Sequence, residues 1–493
     1  MPAELTTTTR STGQTGGRTF FGHPLGLANL AGVEMWERFS FYGMQGILVF
    51  YLYYSLTDGG LGLPQASATS IVGAYGGLVY LSAILGAWVA DRLLGAERAL
   101  TTAAVVIMLG HLSLALVPGL LGVGIGLGCI AVGSGTLKAT TSSVLGDLYA
   151  PQDERRDAGF SIYYMGVNIG ALVGPLLTGL LWDMQGFHWG FGLAAVGMAV
   201  GLVQYLLLRR RTLADAGREV ANPLDRRGKM RYGLVGAATV LLVVVLSVVG
   251  VITAARLSTL VVALTLVATV ALFAVILSSH KISREERGRV LSFIPMFIAS
   301  AVFWSLFQQQ FTVVALYADQ RLDLNLFGWT MPPSWVQSIN PIFIIVFAGV
   351  FAATWTRLGP RQPVTPVKFA LGTIFMGVAF LLFLPYANGG PNSTPLLWLV
   401  FILFWFTMAE LCLSPVGQSL STKLAPRAFH TQMIALFFLS VAVGSAGAGT
   451  LARFYDPTDE RPYFLVLGGV SILVGLALLL TRKQISRLMA GVR

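Results

Sequence analysis

Charge is scarce in this chain. Only 11% of its 493 residues are Asp, Glu, Lys or Arg, against roughly 25% in soluble domains. So few charges cannot cover a water-facing globule, and a soluble protein is excluded. Cysteine is scarcer still: Cys129 and Cys412 are the two present, each inside an apolar run. That excludes a disulfide framework and a cysteine metal site. The five histidines, His23, His111, His188, His280 and His430, are scattered. Neither metal-ligand spacing nor a Ser/His/Asp set appears, so nothing points to an enzyme, a metal or an organic cofactor. The polar stretch 1–22, rich in Thr, Gly and Ser, has no apolar core. It reads as a disordered tail, not as a cleaved signal peptide.

What is abundant is apolar length. Hydrophobic residues make up 55% of the chain. Fourteen runs are long enough to cross a bilayer, near 25–55, 68–93, 99–117, 119–149, 158–182, 187–208, 232–253, 257–279, 290–318, 334–356, 366–386, 395–423, 429–452 and 462–481. The fold class is therefore all-α and polytopic. The net charge of +11 is no sign of a nucleic-acid partner, because the basic residues gather in alternate short loops. Twenty-seven of the 33 Lys and Arg fall on one side, four on the other, and Arg38 and Lys138 lie within runs. The positive-inside rule then puts both termini in the cytoplasm, and the plasma membrane is the expected location.

The Arg-rich stretch 209–231 separates six runs from eight. The simplest plan has a cytoplasmic tail at 1–22, a six-helix bundle at 23–208 and a linker at 209–231. An inserted helix pair follows at 232–280, then a second six-helix bundle at 281–485 and a tail at 486–493. The inserted pair carries no charge within its runs, so it is expected to face lipid or pack at the periphery. The glycines of Gly122-Val-Gly124-Ile-Gly126-Leu-Gly128, with Gly444, Gly447 and Gly449, suit close helix approach.

An ionisable group inside a bilayer is costly and marks function. Away from the run ends there are five: Glu34, Glu37, Arg38, Lys138 and Glu410. Glu34, Glu37 and Arg38 follow i, i+3, i+4 spacing and share one helix face, which Tyr42 extends. With all five ionised the set carries one excess negative charge. A single added proton neutralises it, and a low-dielectric cavity favours neutrality. This points to proton coupling, provided that all five face one cavity. A second feature is the loop Gly86-Ala-Trp-Val-Ala-Asp91-Arg92-Leu-Leu-Gly95-Ala-Glu97-Arg98. Gly95 permits a tight turn, and Asp91 and Arg92 can pair with neighbouring helix ends and hold one face of a bundle shut. A plain basic loop is the other reading.

These stretches carry a resemblance. The loop from Gly86 to Arg98 resembles that of the major facilitator superfamily, whose fold is two six-helix bundles. The run Glu34-x-x-Glu37-Arg38-Phe-x-x-Tyr42 resembles the signature of the proton-dependent oligopeptide transporter family within it. Gly135-Thr-Leu-Lys138, Phe160-Ser-Ile-Tyr-Tyr164-Met-Gly-Val-Asn168 and Glu410-Leu-Cys-Leu-Ser414-Pro415 resemble further motifs of that family, in the same order. The resemblance covers about residues 22–485. It implies inward symport of di- and tripeptides with protons, by alternating access, in a functional monomer. Glu34, Glu37 and Arg38 would bind and relay the proton, and Lys138 would pair with them and receive the peptide carboxylate. Glu410 and Asn340 would hold the amino group, and Asn168 a backbone amide or the carboxylate. Tyr42, Tyr80, Tyr164, Trp304, Gln308, Ser414 and Phe437 would line the pocket.

The chain departs from the family pattern at four places. Gln45 stands where an arginine is usual, and Gln308 to Gln310 stand where an acid is usual. Ala139-Thr140 replace Pro-Asn after Lys138, and Phe437 replaces a tryptophan. The alternative is a proton-coupled transporter of another small solute, such as nitrate, a modified amino acid or a peptide-like drug. A non-transporting scaffold or sensor is a third reading.

Overall fold

The computed structural model describes residues 19–149, 153, 155–213, 216–220 and 222–492. The tail expected at 1–22 lies outside the described residues as far as residue 18. The first bundle is α1 (Leu25–Tyr53), α2 (Gln65–Val89), α3 (Ala96–Leu116), α4 (Gly119–Asp147), α5 (Arg155–Gln185) and α6 (Phe187–Thr212). The inserted pair is α7 (Arg226–Val248) and α8 (Leu257–Ser278). The second bundle holds α9 (Arg284–Phe307), its continuation α10 (Val313–Arg321), α11 (Ile339–Leu358), α12 (Thr365–Leu381), α13 (Leu396–Lys423), α14 (His430–Leu451) and α15 (Arg461–Leu488). Thirteen of these segments are long and apolar enough to cross a membrane. The first, α1, is 29 residues long and has the length to span; its three ionisable residues lower its hydropathy. α15 runs to Leu488, so the stretch 486–493 opens inside a helix and not in a tail.

In each bundle the apolar faces close on one another. α1 packs on α5 and α6, α3 on α4, and α12 on α13 and α15. The expected glycine approaches form in part. A Cβ on Gly126 would meet Leu114 at 2.6 Å, whereas Gly124 and Gly128 face open space. The loop from Gly86 to Arg98 turns at Gly95, as expected, and its Asp91 and Arg92 meet the linker rather than a neighbouring helix end. Residues 90–94 extend α2 by a π-helical turn, and Gly95 takes a φ of +80°. The Asp91 and Arg92 carbonyls accept from the N–H groups of Asn222 and Leu224. The Arg92 guanidinium donates to the Asn222 carbonyl at 3.3 Å, and Glu97 pairs with Arg209 at 2.8 Å. These bonds tie the loop to its own bundle and to the linker, because the linker folds back under α2 and α3.

The bundles meet mainly in the half remote from the basic loops, called here the far half. α2 crosses α14 so closely that a Cβ on Gly73 would lie 2.5 Å from Gly449 backbone. Trp335 donates its indole N–H to the Leu176 carbonyl, and Ser338 its hydroxyl to the Leu172 carbonyl, each at 2.9 Å. At the far end of α1, the hydroxyls of Tyr53 and Tyr54 both donate to the Asp319 carboxylate, the second at 2.7 Å. The inserted pair is only half peripheral. α7 buries no residue. α8 buries Ser258, Val261, Thr265, Thr269 and Ile276, one stripe that packs on both α2 and α14. Its uncharged serine and threonine stripe, invisible to a search for charge, is what seats it at the seam. Ser258 there shares hydrogen bonds with Ser70 and Thr450.

Asp319 joins the bundles through charge-assisted bonds, each worth on the order of 1.5–3 kcal/mol. Asp319→Ala is expected to shift the far half toward opening by at least roughly tenfold in population. Spin labels at the exposed positions 56 and 327 would report it as a longer distance component; an unchanged distribution would show that the tyrosine pair does not latch the bundles.

Candidate functional site

Between the bundles lies a cavity of about 500 Å³. Its far end is closed by Gln45, Pro175, Gln310, Phe311 and Gln337. Its other end extends past Ser142, Phe160 and Gln418. These three sit near the ends of α4, α5 and α13 that carry the basic loops, so the cavity opens toward the basic face. The first bundle supplies one wall and the second supplies the other.

Every residue expected to line a pocket does so: Tyr42, Tyr80, Lys138, Tyr164, Asn168, Trp304, Gln308, Asn340, Glu410, Ser414 and Phe437. They come from α1, α2, α4, α5, α9, the turn after α9, α11, α13 and α14. Glu34 and Arg38 line it as well. Glu37 does not. It is fully buried behind the wall, so the five ionisable groups do not all face the cavity. The reason is helix geometry: i, i+3 and i+4 share a face, but the stripe is wide enough for its flank to turn into the bundle.

The three charges of α1 form one unit. The Arg38 Nε lies 3.2 Å from Glu34 Oε1 and 2.5 Å from Glu37 Oε2. Ser134, on α4, donates its hydroxyl to Glu37 Oε1 and accepts from Arg38 Nη2 at 3.4 Å. The Arg38 guanidinium also rests over the Phe41 ring at 5.1 Å. One cation thus serves two carboxylates, and one negative charge is left over. Lys138 was expected to pair with this cluster. Here it forms no ion pair among the described residues; its ammonium sits over the Tyr80 ring at 4.5 Å. Arg38 occupies the carboxylates that Lys138 would take, which leaves the lysine turned toward the cavity.

On the opposite wall, Asn340 donates its amide N–H to Glu410 Oε2 at 3.3 Å and to Thr407 at 3.0 Å. Glu410 has no cation beside it among the described residues. Asn168 spends its amide N–H on the Tyr164 carbonyl at 2.9 Å, so its oxygen remains for a ligand. A lone cation therefore faces a lone carboxylate across an aromatic-walled cavity. That arrangement suits a small zwitterion.

Sequence reasoning passed over several residues. Gln337, Tyr163 and Phe311 line the cavity, and nothing in their type marks them. Ser134 is one small residue among many in α4. Asp319 stands at a run end, where a charge attracts no notice. The amide run is split by the turn after α9: Gln308 and Gln310 reach the cavity, while Gln309 accepts from the Tyr463 hydroxyl at 2.5 Å inside the second bundle.

Removing one partner of a buried ion pair commonly costs about 3–5 kcal/mol. Here the two sides of the triad differ. Arg38→Gln leaves two buried carboxylates side by side and is expected to lower thermal stability in detergent by that order. Glu37→Gln leaves the Arg38–Glu34 pair intact and should cost under about 1 kcal/mol. Equal losses in thermal melts would contradict the shared-cation reading.

Residues 97–466 match the model of the POT family. A di-/tripeptide transporter from Lactococcus lactis subsp. cremoris is 40% identical, over 97% of this chain and 98% of its own. A mutant of a peptide transporter POT, solved in complex with alafosfalin, superposes with a TM-score of 0.91 at 45% identity, over 96% of this chain and 97% of that one. A POT family transporter solved with 5-aminolevulinic acid gives a TM-score of 0.89 at 39% identity, over 94% and 98%. The family model, the sequence identities and the superpositions agree, and the chain belongs to the POT family of membrane transporters.

Proposed function

We propose that the protein is a proton-coupled symporter that imports di- and tripeptides by alternating access across the plasma membrane, with both termini cytoplasmic and the proton as co-substrate. The observation that carries this reading is the placement of Lys138 on one wall of the cavity and Glu410 with Asn340 on the other. A zwitterionic peptide has a carboxylate for the first and an ammonium for the second. Its two termini then bridge the bundles, which is how binding one ligand favours one arrangement of the bundles over another.

The proton enters through the triad. With Glu37 protonated, Arg38 keeps Glu34 as its counter-ion and the triad is neutral. Lys138 is then drawn to no protein carboxylate and takes that of the peptide. The bundles close on the far side and the cavity opens toward the basic face, the arrangement described here. Loss of the proton to the cytoplasm restores the extra negative charge beside Lys138. That charge competes with the peptide carboxylate for the lysine and loosens the substrate. A potential near 100 mV contributes about 2.3 kcal/mol per charge moved, and each pH unit about 1.4 kcal/mol. One proton then supports accumulation of peptide by roughly a hundredfold or more.

A second reading rests on the relative solved with 5-aminolevulinic acid. That ligand also has an amine at one end and a carboxylate at the other. A cavity that reads only the two ends would admit such amino acids beside peptides, and Gln45 and Gln308 put no charge on the wall between.

Uptake of a labelled dipeptide into proteoliposomes tests both readings. The native chain should concentrate it under an inward proton gradient. Glu37→Gln should lose gradient-driven uptake yet keep exchange at equal pH; concentrative uptake by that variant would remove Glu37 from coupling. Glu410→Gln should raise the KM at least tenfold, as loss of a charged hydrogen bond predicts. Unlabelled dipeptides should compete for uptake, and their free amino acids should not. Failure of dipeptides to compete would overturn the peptide assignment.

A further inference from the structure

We propose that the cytoplasmic end of α15, with the start of α12, forms a binding site for one anionic phospholipid. A second cavity lies there, about 390 Å³ and wide open, lined by Val364, Arg482, Lys483, Ser486 and Arg487. Its polar wall has three cations, one hydroxyl and no acid. All three cations are exposed, and none has an ion-pair partner among the described residues. The opposite wall is the N-terminus of α12, capped by Val364, where the helix dipole is positive. An anion is the complement of such a cleft.

The apolar surface that leads into the cleft identifies the anion as a lipid headgroup. Val466, Val470, Leu473, Leu476 and Leu480 are 58%, 46%, 66%, 44% and 85% exposed. Their spacing of three and four residues makes one stripe along α15, and no other helix among the described residues covers it. The next two positions of that stripe are Lys483 and Arg487. The stripe thus passes from bare aliphatic side chains into the cationic cleft at the depth where a crossing helix leaves the hydrocarbon. The opposite side of the same turn buries Ile485 and Met489 and fixes α15 against its bundle, so the cations cannot rotate away. An acyl chain along the leucines and a phosphate among the cations would fill both parts at once. A soluble phosphate would use only the second part.

Titration of the full-length protein in detergent micelles, read by native mass spectrometry, tests the site. The probes are phosphatidylglycerol and phosphatidylcholine with matched chains. The native protein should hold one phosphatidylglycerol at least about tenfold more tightly than phosphatidylcholine, since each basic residue near an anionic headgroup contributes about a fivefold gain. Lys483→Gln and Arg487→Gln, each at an exposed position, should each weaken phosphatidylglycerol about fivefold and leave phosphatidylcholine unchanged. Arg226→Gln with Arg227→Gln, at the separate basic start of α7, should leave the preference intact. Equal binding of the two lipids, or equal loss in the α7 variant, would overturn the proposal. Displacement of phosphatidylglycerol by millimolar inorganic phosphate would overturn it too, and would reassign the cleft to a soluble anion.

Discussion

A guanidinium shared between two carboxylates, all three almost wholly buried, sets the terms for the rest of this molecule. Arg38 cannot be left without a counter-ion at that depth, and two glutamates cannot both stay charged there without a cation. The unit therefore has a small set of allowed states, distinguished by one proton. Ser134 secures Glu37 from the neighbouring helix, so the chemistry of α1 is felt by α4, which carries Lys138 a single turn further on. In the proposed cycle, proton occupancy and the availability of Lys138 are coupled by this short path, with no long-range relay needed.

The remaining architecture turns that local coupling into transport. The cavity walls belong to different bundles, so a ligand that spans them also reports on their separation. Closure in the far half is made by several weak and reversible devices: glycine contacts between α2 and α14, indole and hydroxyl bonds to backbone carbonyls, and the tyrosine pair on Asp319. None of these is a buried ion pair, which would be costly to separate on every cycle. Gln45 and Gln308 fit the same picture. Where the family pattern has an arginine and an acid, this chain keeps neutral amides on the cavity wall, and in the far half the two bundles are bonded through Asp319 and its tyrosine pair. The inserted pair adds one more reversible contact, since Ser258 of α8 bonds to α2 and α14 alike.

Much of this was legible in the sequence. Low charge and fourteen apolar runs determined a polytopic helical protein, because lipid admits only backbone that satisfies its own hydrogen bonds. Charges within those runs pointed to the site, because a charge that survives in hydrocarbon is held there by function. Resemblance of short motifs named the expected pocket residues, and all of them line one cavity. What the sequence left open depended on direction in space. Spacing placed Glu37 with Glu34 and Arg38, but only packing turned it away from the cavity. Lys138 and Arg38 are both cations on paper, and only their distances show which one holds the glutamates and which stands free. Asp319 and Ser134 have ordinary identities and act through neighbours 266 and 97 positions away in the chain. Composition and periodicity report how each segment meets its solvent; which side chains meet one another is decided only when two separately folded bundles close on a common cavity, since that closure has no local signature in the chain.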